Sequence, residues 1–86
     1  MFKLFSNFYR FQQPVVDVGL SSAYAYETAE LFLGTRGKRG SWSWQMISFA
    51  PLDENGAGSF PIADKFSPGQ MVRVMVNWDT QLESYT

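Results

Sequence analysis

The chain has 86 residues and a net charge of −1, and it contains neither histidine nor cysteine. It therefore lacks imidazole bases, thiol nucleophiles, disulfides and the nitrogen and sulfur ligands of zinc sites. Because hydrophobic residues make up 45% of the chain and aromatic residues 17%, we expect one small domain with a packed core that acts by contact rather than by catalysis.

Residues 1–14 are rich in aromatic side chains and are interpreted as an N-terminal arm or as the first element of the domain. The spacing suits the apolar stripe of a short helix better than the alternation of a strand. Pro14 disfavours helical backbone at Gln13 and predicts a boundary there. The segment can pack on its own core, insert into a neighbouring subunit or lie on a membrane surface, and we favour the first two. The rings that would anchor a partner are Phe2, Phe5, Phe8 and Phe11.

The first five residues of this segment resemble the start of a secretion signal. Polar residues between Asn7 and Gln13 then interrupt the apolar run before it reaches the length that a signal peptide needs. No window of the chain approaches the ~18 consecutive apolar residues of a membrane-spanning helix. We therefore expect neither a signal peptide nor a transmembrane segment. The expected location is the cytoplasm when the protein is made and, if it serves a virus, the assembled particle.

Residues 15–79 carry the short apolar runs and regular turn signals of an antiparallel β domain. Residues 15–18 are mostly β-branched and predict a strand that ends at Gly19. A second extended piece is expected over residues 20–26.

The next region, residues 22–33, admits either a helix or a strand. Ala29, Leu31 and Leu33 alternate with the residues between them, which favours a strand. Gly34 follows and leaves no long helical period.

A basic turn and an aromatic return strand come next. Residues 34–40, with the sequence GTRGKRG, predict an exposed and mobile turn. Residues 42–46 alternate and predict the second strand of a hairpin. The apolar pattern changes face at Ile47 and Phe49, which indicates a β-bulge or a stretch that is buried on both sides.

The C-terminal half contains further turns and one clear strand. Residues 53–58 give the strongest turn signal, because Asn-Gly tolerates the positive φ angles of a tight hairpin. Extended structure is expected over 59–62, a turn over 67–69, a strand over 70–78 and a polar C-terminal tail over 80–86. The core face of the strand is expected to carry Val72, Val74, Val76 and Trp78. The opposite face is expected to carry Met71, Arg73, Met75 and Asn77.

Together these signals predict an all-β fold, a small antiparallel sandwich or barrel of about five to seven strands with an aromatic N-terminal arm or short helix. The layout of residues 42–78, with DENG, PGQ and VRV in that order, resembles the hairpin architecture of immunoglobulin-like and transthyretin-like sandwiches. The resemblance lies in the turn chemistry.

The hairpin over residues 34–44 is the sharpest candidate for a binding site. Cations that contact phosphates beside rings that stack on bases suit single-stranded nucleic acid. This hairpin is similar to the basic-aromatic hairpin of small barrels that coat single-stranded DNA, including those of filamentous phages. The alternative is a solvated loop above two core tryptophans, which the acidic character of the whole chain favours. The candidate residues are Arg36, Lys38, Arg39, Trp42 and Trp44.

Catalytic and metal sites find little support in the sequence. Asp53, Asn55 and Asp64 carry oxygens that suit calcium, but the regular ligand series of an EF-hand is absent. The serines have no histidine beside them, and the paired carboxylates lie in turns or on an exposed strand face. We expect no enzymatic activity, no metal, no cofactor and no small-molecule substrate.

The favoured hypothesis is a non-catalytic interaction or structural protein, a small component of a larger assembly such as a viral particle accessory protein. Its partner would be another protein or a second copy of the chain. The first alternative is a single-stranded nucleic-acid-binding protein that uses the hairpin 34–44. The second alternative is a small inhibitor of a host enzyme or defence factor.

Overall fold

The computed structural model describes residues 8–12, 15–62 and 69–85, and seven β-strands account for most of them. The strands are β1 (Phe8–Gln12), β2 (Val15–Gly19), β3 (Thr28–Arg36), β4 (Trp42–Pro51), β5 (Ala57–Pro61), β6 (Met71–Val76) and β7 (Asp79–Tyr85). Two three-residue 3-10 turns, Ser22–Tyr24 and Lys38–Gly40, complete the described structure. Neither helical turn has the length or the apolar character to cross a membrane.

The strands form two antiparallel sheets, and the core lies between them. One sheet has the order β1-β2-β5 and the other has the order β4-β3-β6-β7. Alternate residues of both sheets point inward, because successive side chains of a strand face opposite ways. The predicted all-β antiparallel sandwich is confirmed. The core consists of Val16, Val18, Leu20, Ala29, Leu31, Ala50, Leu52, Phe60, Ile62, Val72, Val74, Val76 and Leu82.

The predicted β-bulge is confirmed in β4. Leu31 of β3 stands opposite Ser48, whereas Phe32, the next residue, stands opposite Met46. Ile47 is the extra residue, and its side chain packs against the edge of the core. The extra residue shifts the alternation of inward and outward side chains by one position. This shift matches the change of face in the apolar pattern of the sequence.

The turn between β4 and β5 is confirmed, but it joins the two sheets instead of closing a paired hairpin. The Asp53 carboxylate accepts hydrogen bonds from the backbone N–H groups of Asn55 at 2.7 Å and Ala57 at 3.0 Å. The N–H of Leu20 donates to the carbonyl of Gly56 at 2.9 Å. These bonds tie the turn to the segment that leaves β2.

Three sequence predictions fail at the ends of elements. β6 ends at Val76, so Trp78 lies in a turn and is 76% exposed, although the three valines predicted with it are core residues. The predicted polar tail is strand β7, which places Leu82 in the core opposite Val74. The segment after Gly19 that was predicted to be extended contains the 3-10 turn Ser22–Tyr24. The side chain of Ser21 caps the start of this turn.

The N-terminal prediction is resolved in part. Residues 8–12 form strand β1, in which Phe8 pairs with Gly19 and Phe11 with Val16. The helical interpretation is therefore wrong for these five residues, and pairing with β2 makes them the first element of the sandwich. Phe2 and Phe5 lie outside the described residues.

Gly56→Ala should lower the free energy of unfolding by more than about 2 kcal/mol. Gly56 has a φ of +79°, and a Cβ there would overlap the backbone carbonyl of Ser21. Gly69→Ala is the matched control, because its φ is +87° but its Cβ would meet no atom within 4 Å, so a loss of about 1 kcal/mol is expected. Urea denaturation measures both. Equal losses would show that φ alone, and not the contact with Ser21, makes glycine necessary.

Trp78→Gly should raise the free energy of unfolding by about 1 kcal/mol. Asn77 and Trp78 have φ angles of 52° and 68° and form the two-residue turn between paired residues Val76 and Asp79. Glycine adopts this backbone without steric cost, and an exposed ring loses little packing when removed. Trp78→Phe, which retains a Cβ, should leave the stability unchanged. A lower stability of the glycine variant in thermal unfolding would contradict this explanation.

Candidate nucleic-acid interface

The outward side of the four-stranded sheet gathers the aromatic residues of the predicted hairpin. In the β3–β4 register, Arg36 stands opposite Trp42 and Gly34 opposite Trp44. These residues alternate with inward positions such as Leu33, so they lie on the side away from the core. We call this surface the aromatic face. It consists of Phe32, Arg36, Trp42, Trp44 and Arg73.

Trp42 and Trp44 stack on each other. Their ring centroids are 6.0 Å apart and the ring planes are inclined by 27°. The guanidinium carbon of Arg36 lies 5.9 Å from the centroid of the Trp42 ring, within the range of a cation–π contact. Both rings are partly exposed and neither belongs to the buried core. The interpretation of these residues as core tryptophans is therefore wrong.

Gly34 and Arg73 determine where the Trp44 ring can lie. A Cβ on Gly34 would come within 2.7–2.9 Å of three atoms of that ring, so the ring occupies the space that a side chain would fill. From strand β6, the guanidinium carbon of Arg73 lies 3.9 Å from the ring centroid. Arg73 also forms a salt bridge with Glu83 of β7. The Trp44 ring is thus held by contacts from two neighbouring strands, and the charge of Arg73 is largely compensated.

The predicted basic turn is confirmed as exposed, but it starts later than expected. Gly34 and Arg36 still pair with β4, and the chain reverses over residues 37–41, which we call the basic loop. The N–H of Gly37 donates to the carbonyl of Ser41 at 2.6 Å and closes the loop. Gly34 makes room for the Trp44 ring and does not lie in the turn. The glycines of the sequence therefore predicted a turn that begins too early.

The charges of the hairpin all have one sign. Arg36, Lys38 and Arg39 are exposed, and residues 31–52 contain no acidic residue. Lys38 and Arg39 lie in the basic loop, directly before the strand that carries the two stacked tryptophans. The sequence-predicted hairpin residues are therefore neighbours in the fold, with cations at the tip and rings along the adjoining strand.

Other predicted partner residues lie elsewhere. Phe8 and Phe11 belong to β1, in the opposite sheet, so the backbone does not bring them to the aromatic face. The sequence interpretation did not assign Phe32 or Arg73 to this site, although it placed Arg73 on the face opposite the core valines, and it assigned Gly34 to the turn. The alternation of Met71, Arg73 and Met75 against the core valines was a usable signal for Arg73, since it places all three outward.

The carboxylate of Asp53 in the β4–β5 turn accepts hydrogen bonds from the backbone. The N–H groups of Ala57 and Asn55 donate to the Asp53 carboxylate and hold its pKa below the ordinary value. This bonding gives Asp53 a role in holding the turn. Among the residues that the structure describes, no three acidic side chains converge on one point. Asp64 lies outside the described ranges.

Comparison of the chain with models of protein families, with curated proteins and with solved structures finds no match in any of the three. The chemistry and geometry of the aromatic face are therefore the basis for assigning a function.

Gly34→Ala should displace the Trp44 ring without unfolding the sandwich, because the backbone of Gly34 does not have a positive φ and the three atoms nearest to a Cβ all belong to the Trp44 indole. We expect a changed near-ultraviolet circular dichroism of tryptophan and a loss of about 1–2 kcal/mol in the free energy of unfolding. Gly37→Ala is the control, since its Cβ would meet Ser41 at an ordinary 3.5 Å. An unchanged tryptophan spectrum in Gly34→Ala would contradict the assigned ring position.

Proposed function

We propose that this protein is a non-catalytic binding protein for single-stranded nucleic acid. The observation that carries the proposal is the position of the stacked Trp42 and Trp44 rings on an outward sheet face, beside three exposed cations. Rings and cations on one continuous surface are the two components from which sequence-tolerant binding of single strands is built.

The rings would supply stacking energy. Stacking of a base on an aromatic side chain contributes about 1–3 kcal/mol per base, and every base has a face that can stack. Trp44 is already held in place by Gly34 and Arg73. A ring that is ordered before binding loses little rotamer freedom on binding, so more of the stacking energy contributes to affinity.

The cations would supply the electrostatic part and the salt dependence. Arg36, Lys38 and Arg39 can each neutralise one phosphate, whereas Arg73 is compensated by Glu83. Three phosphate contacts to a single strand predict a slope of about −2 in a plot of log affinity against log salt concentration. Since the whole chain has a net charge of −1, the attraction would be local to the hairpin and modest at physiological salt.

The broader hypothesis of a structural component of an assembly, including a viral particle, stays a prediction. A protein that coats a nucleic acid is one form of such a component. The inhibitor hypothesis also stays a prediction, and the contacts among the described residues do not favour it.

The direct test is a fluorescence titration with a single-stranded oligonucleotide in the Trp78→Phe background. Only Trp42 and Trp44 then report, because the chain has three tryptophans. We expect quenching with a log–log salt slope of about −2, and weaker quenching with a duplex, whose bases are not free to stack. No quenching at ~100 µM protein and low salt, or equal quenching by duplex, would overturn the proposal.

Variants then separate the two contributions. Trp44→Ala should weaken binding about 5- to 150-fold while leaving the salt slope near −2, because it removes about 1–3 kcal/mol of stacking. Replacing Lys38 and Arg39 with glutamine should reduce the slope to about −1. The charge-matched control adds two negative charges at the far turns by Ser22→Glu and Asn55→Asp, both at exposed positions. If this control reduces the slope equally, net charge and not the basic loop governs binding.

A further inference from the structure

Strand β4 has an unusual edge. It is the longest described strand, with ten residues from Trp42 to Pro51, and it lies at one edge of the four-stranded sheet. Among the described residues, β4 forms ladder pairs with β3 alone. Its outer side therefore carries a row of backbone donors and acceptors with no ladder partner among the described strands.

The β4 edge lacks the charges that usually prevent strands from associating. Residues 40–52 contain no charged side chain, whereas β7, at the opposite edge of the same sheet, carries Asp79 and Glu83. Proteins protect exposed edges with charged residues, prolines and bulges. β4 has the bulge at Ile47 and a proline only at its last position.

An open apolar groove runs beside this edge. Its volume is about 410 Å³, and it lies between β4 and Pro61 of β5. Met46 is 46% exposed and Phe49 is 63% exposed on its wall. The groove adds apolar area that a strand lying against β4 would cover, so hydrogen bonding and burial favour the same partner geometry.

We infer that two copies of the chain pair through β4, antiparallel to each other, and form a continuous eight-stranded sheet. Among the described strands none pairs with the outer side of β4, and the donors and acceptors of a strand edge match those of another extended strand. With a twofold axis between two copies, the β4 edge of one copy pairs with the β4 edge of the other. A single contact then supplies hydrogen-bond partners to both edges and covers both grooves. Because residues 40–52 are uncharged, bringing two copies of this edge together opposes no like charges.

This dimer goes beyond the proposed function and does not depend on it. It would place two aromatic faces on the same side of one sheet, with the two hairpins at opposite ends of the β4–β4 pair.

The test is the solution mass of the full chain without nucleic acid, by sedimentation equilibrium. The chain has a mass of 9.8 kDa, and we expect a species of twice that mass at tens of micromolar protein. Replacing Gln45 and Met46 with lysine places charges on the edge and should raise the dissociation constant at least tenfold. Lysines at Ser22 and Asn55, exposed positions away from β4, should leave it unchanged.

Hydrogen exchange on the unmodified chain provides a second measurement that does not require a stable variant. The β4 amides that β3 does not hold should be protected at high protein concentration and exchange freely at low concentration. A monomer at 200 µM, an unchanged dissociation constant in the Gln45 and Met46 lysine variant, or concentration-independent exchange along β4 would each overturn the inference. Because no nucleic acid is present, failure here leaves the binding titration an independent test of the proposed function.

Discussion

The alternation of inward and outward side chains along β3 couples the core to the outer surface of the sheet. β3 is an inner strand that pairs with β4 on one side and β6 on the other. Its inward residues, Ala29 and Leu31, are completely buried in the core. Its outward residues therefore lie beside the outward residues of β4 and β6. The core and the aromatic face are opposite sides of the same strand, and neither can shift without the other.

The absence of a side chain at Gly34 shows how this coupling works. The gap in the outward row is filled by the Trp44 ring from β4, and Arg73 from β6 contacts the same ring. Three strands thus contribute to the position of one indole. The bulge at Ile47 allows this arrangement, because it changes the register of β4 after the tryptophans and returns Ala50 to the core.

The charged residues at the two ends of β4 are grouped by sign, although the net charge of the chain is only −1. The hairpin end of the sheet carries Arg36, Lys38 and Arg39, whereas Asp53 and Glu54 follow the far end of β4. Salt screens charges separated by more than about 10 Å at 0.1 M ionic strength. A ligand at the hairpin would therefore experience mainly the hairpin cations, and the composition of the whole chain is a poor guide to the potential of this surface.

The amino-acid sequence alone predicts the strand character of β2, β3, β4, β5 and β6, the bulge, the β4–β5 turn and the proximity of Trp42 and Trp44 to the hairpin cations. These are local properties, set by periodicity and turn chemistry over a few residues. Three features could be read only from the packed sheets: the two tryptophans face outward, Trp78 lies in a turn, and residues 79–85 form a strand. Alternation states which residues share a face, but it cannot state which face another sheet will cover. That choice depends on contacts between residues far apart in the chain, such as Leu31 with Val74 and Gly34 with Trp44.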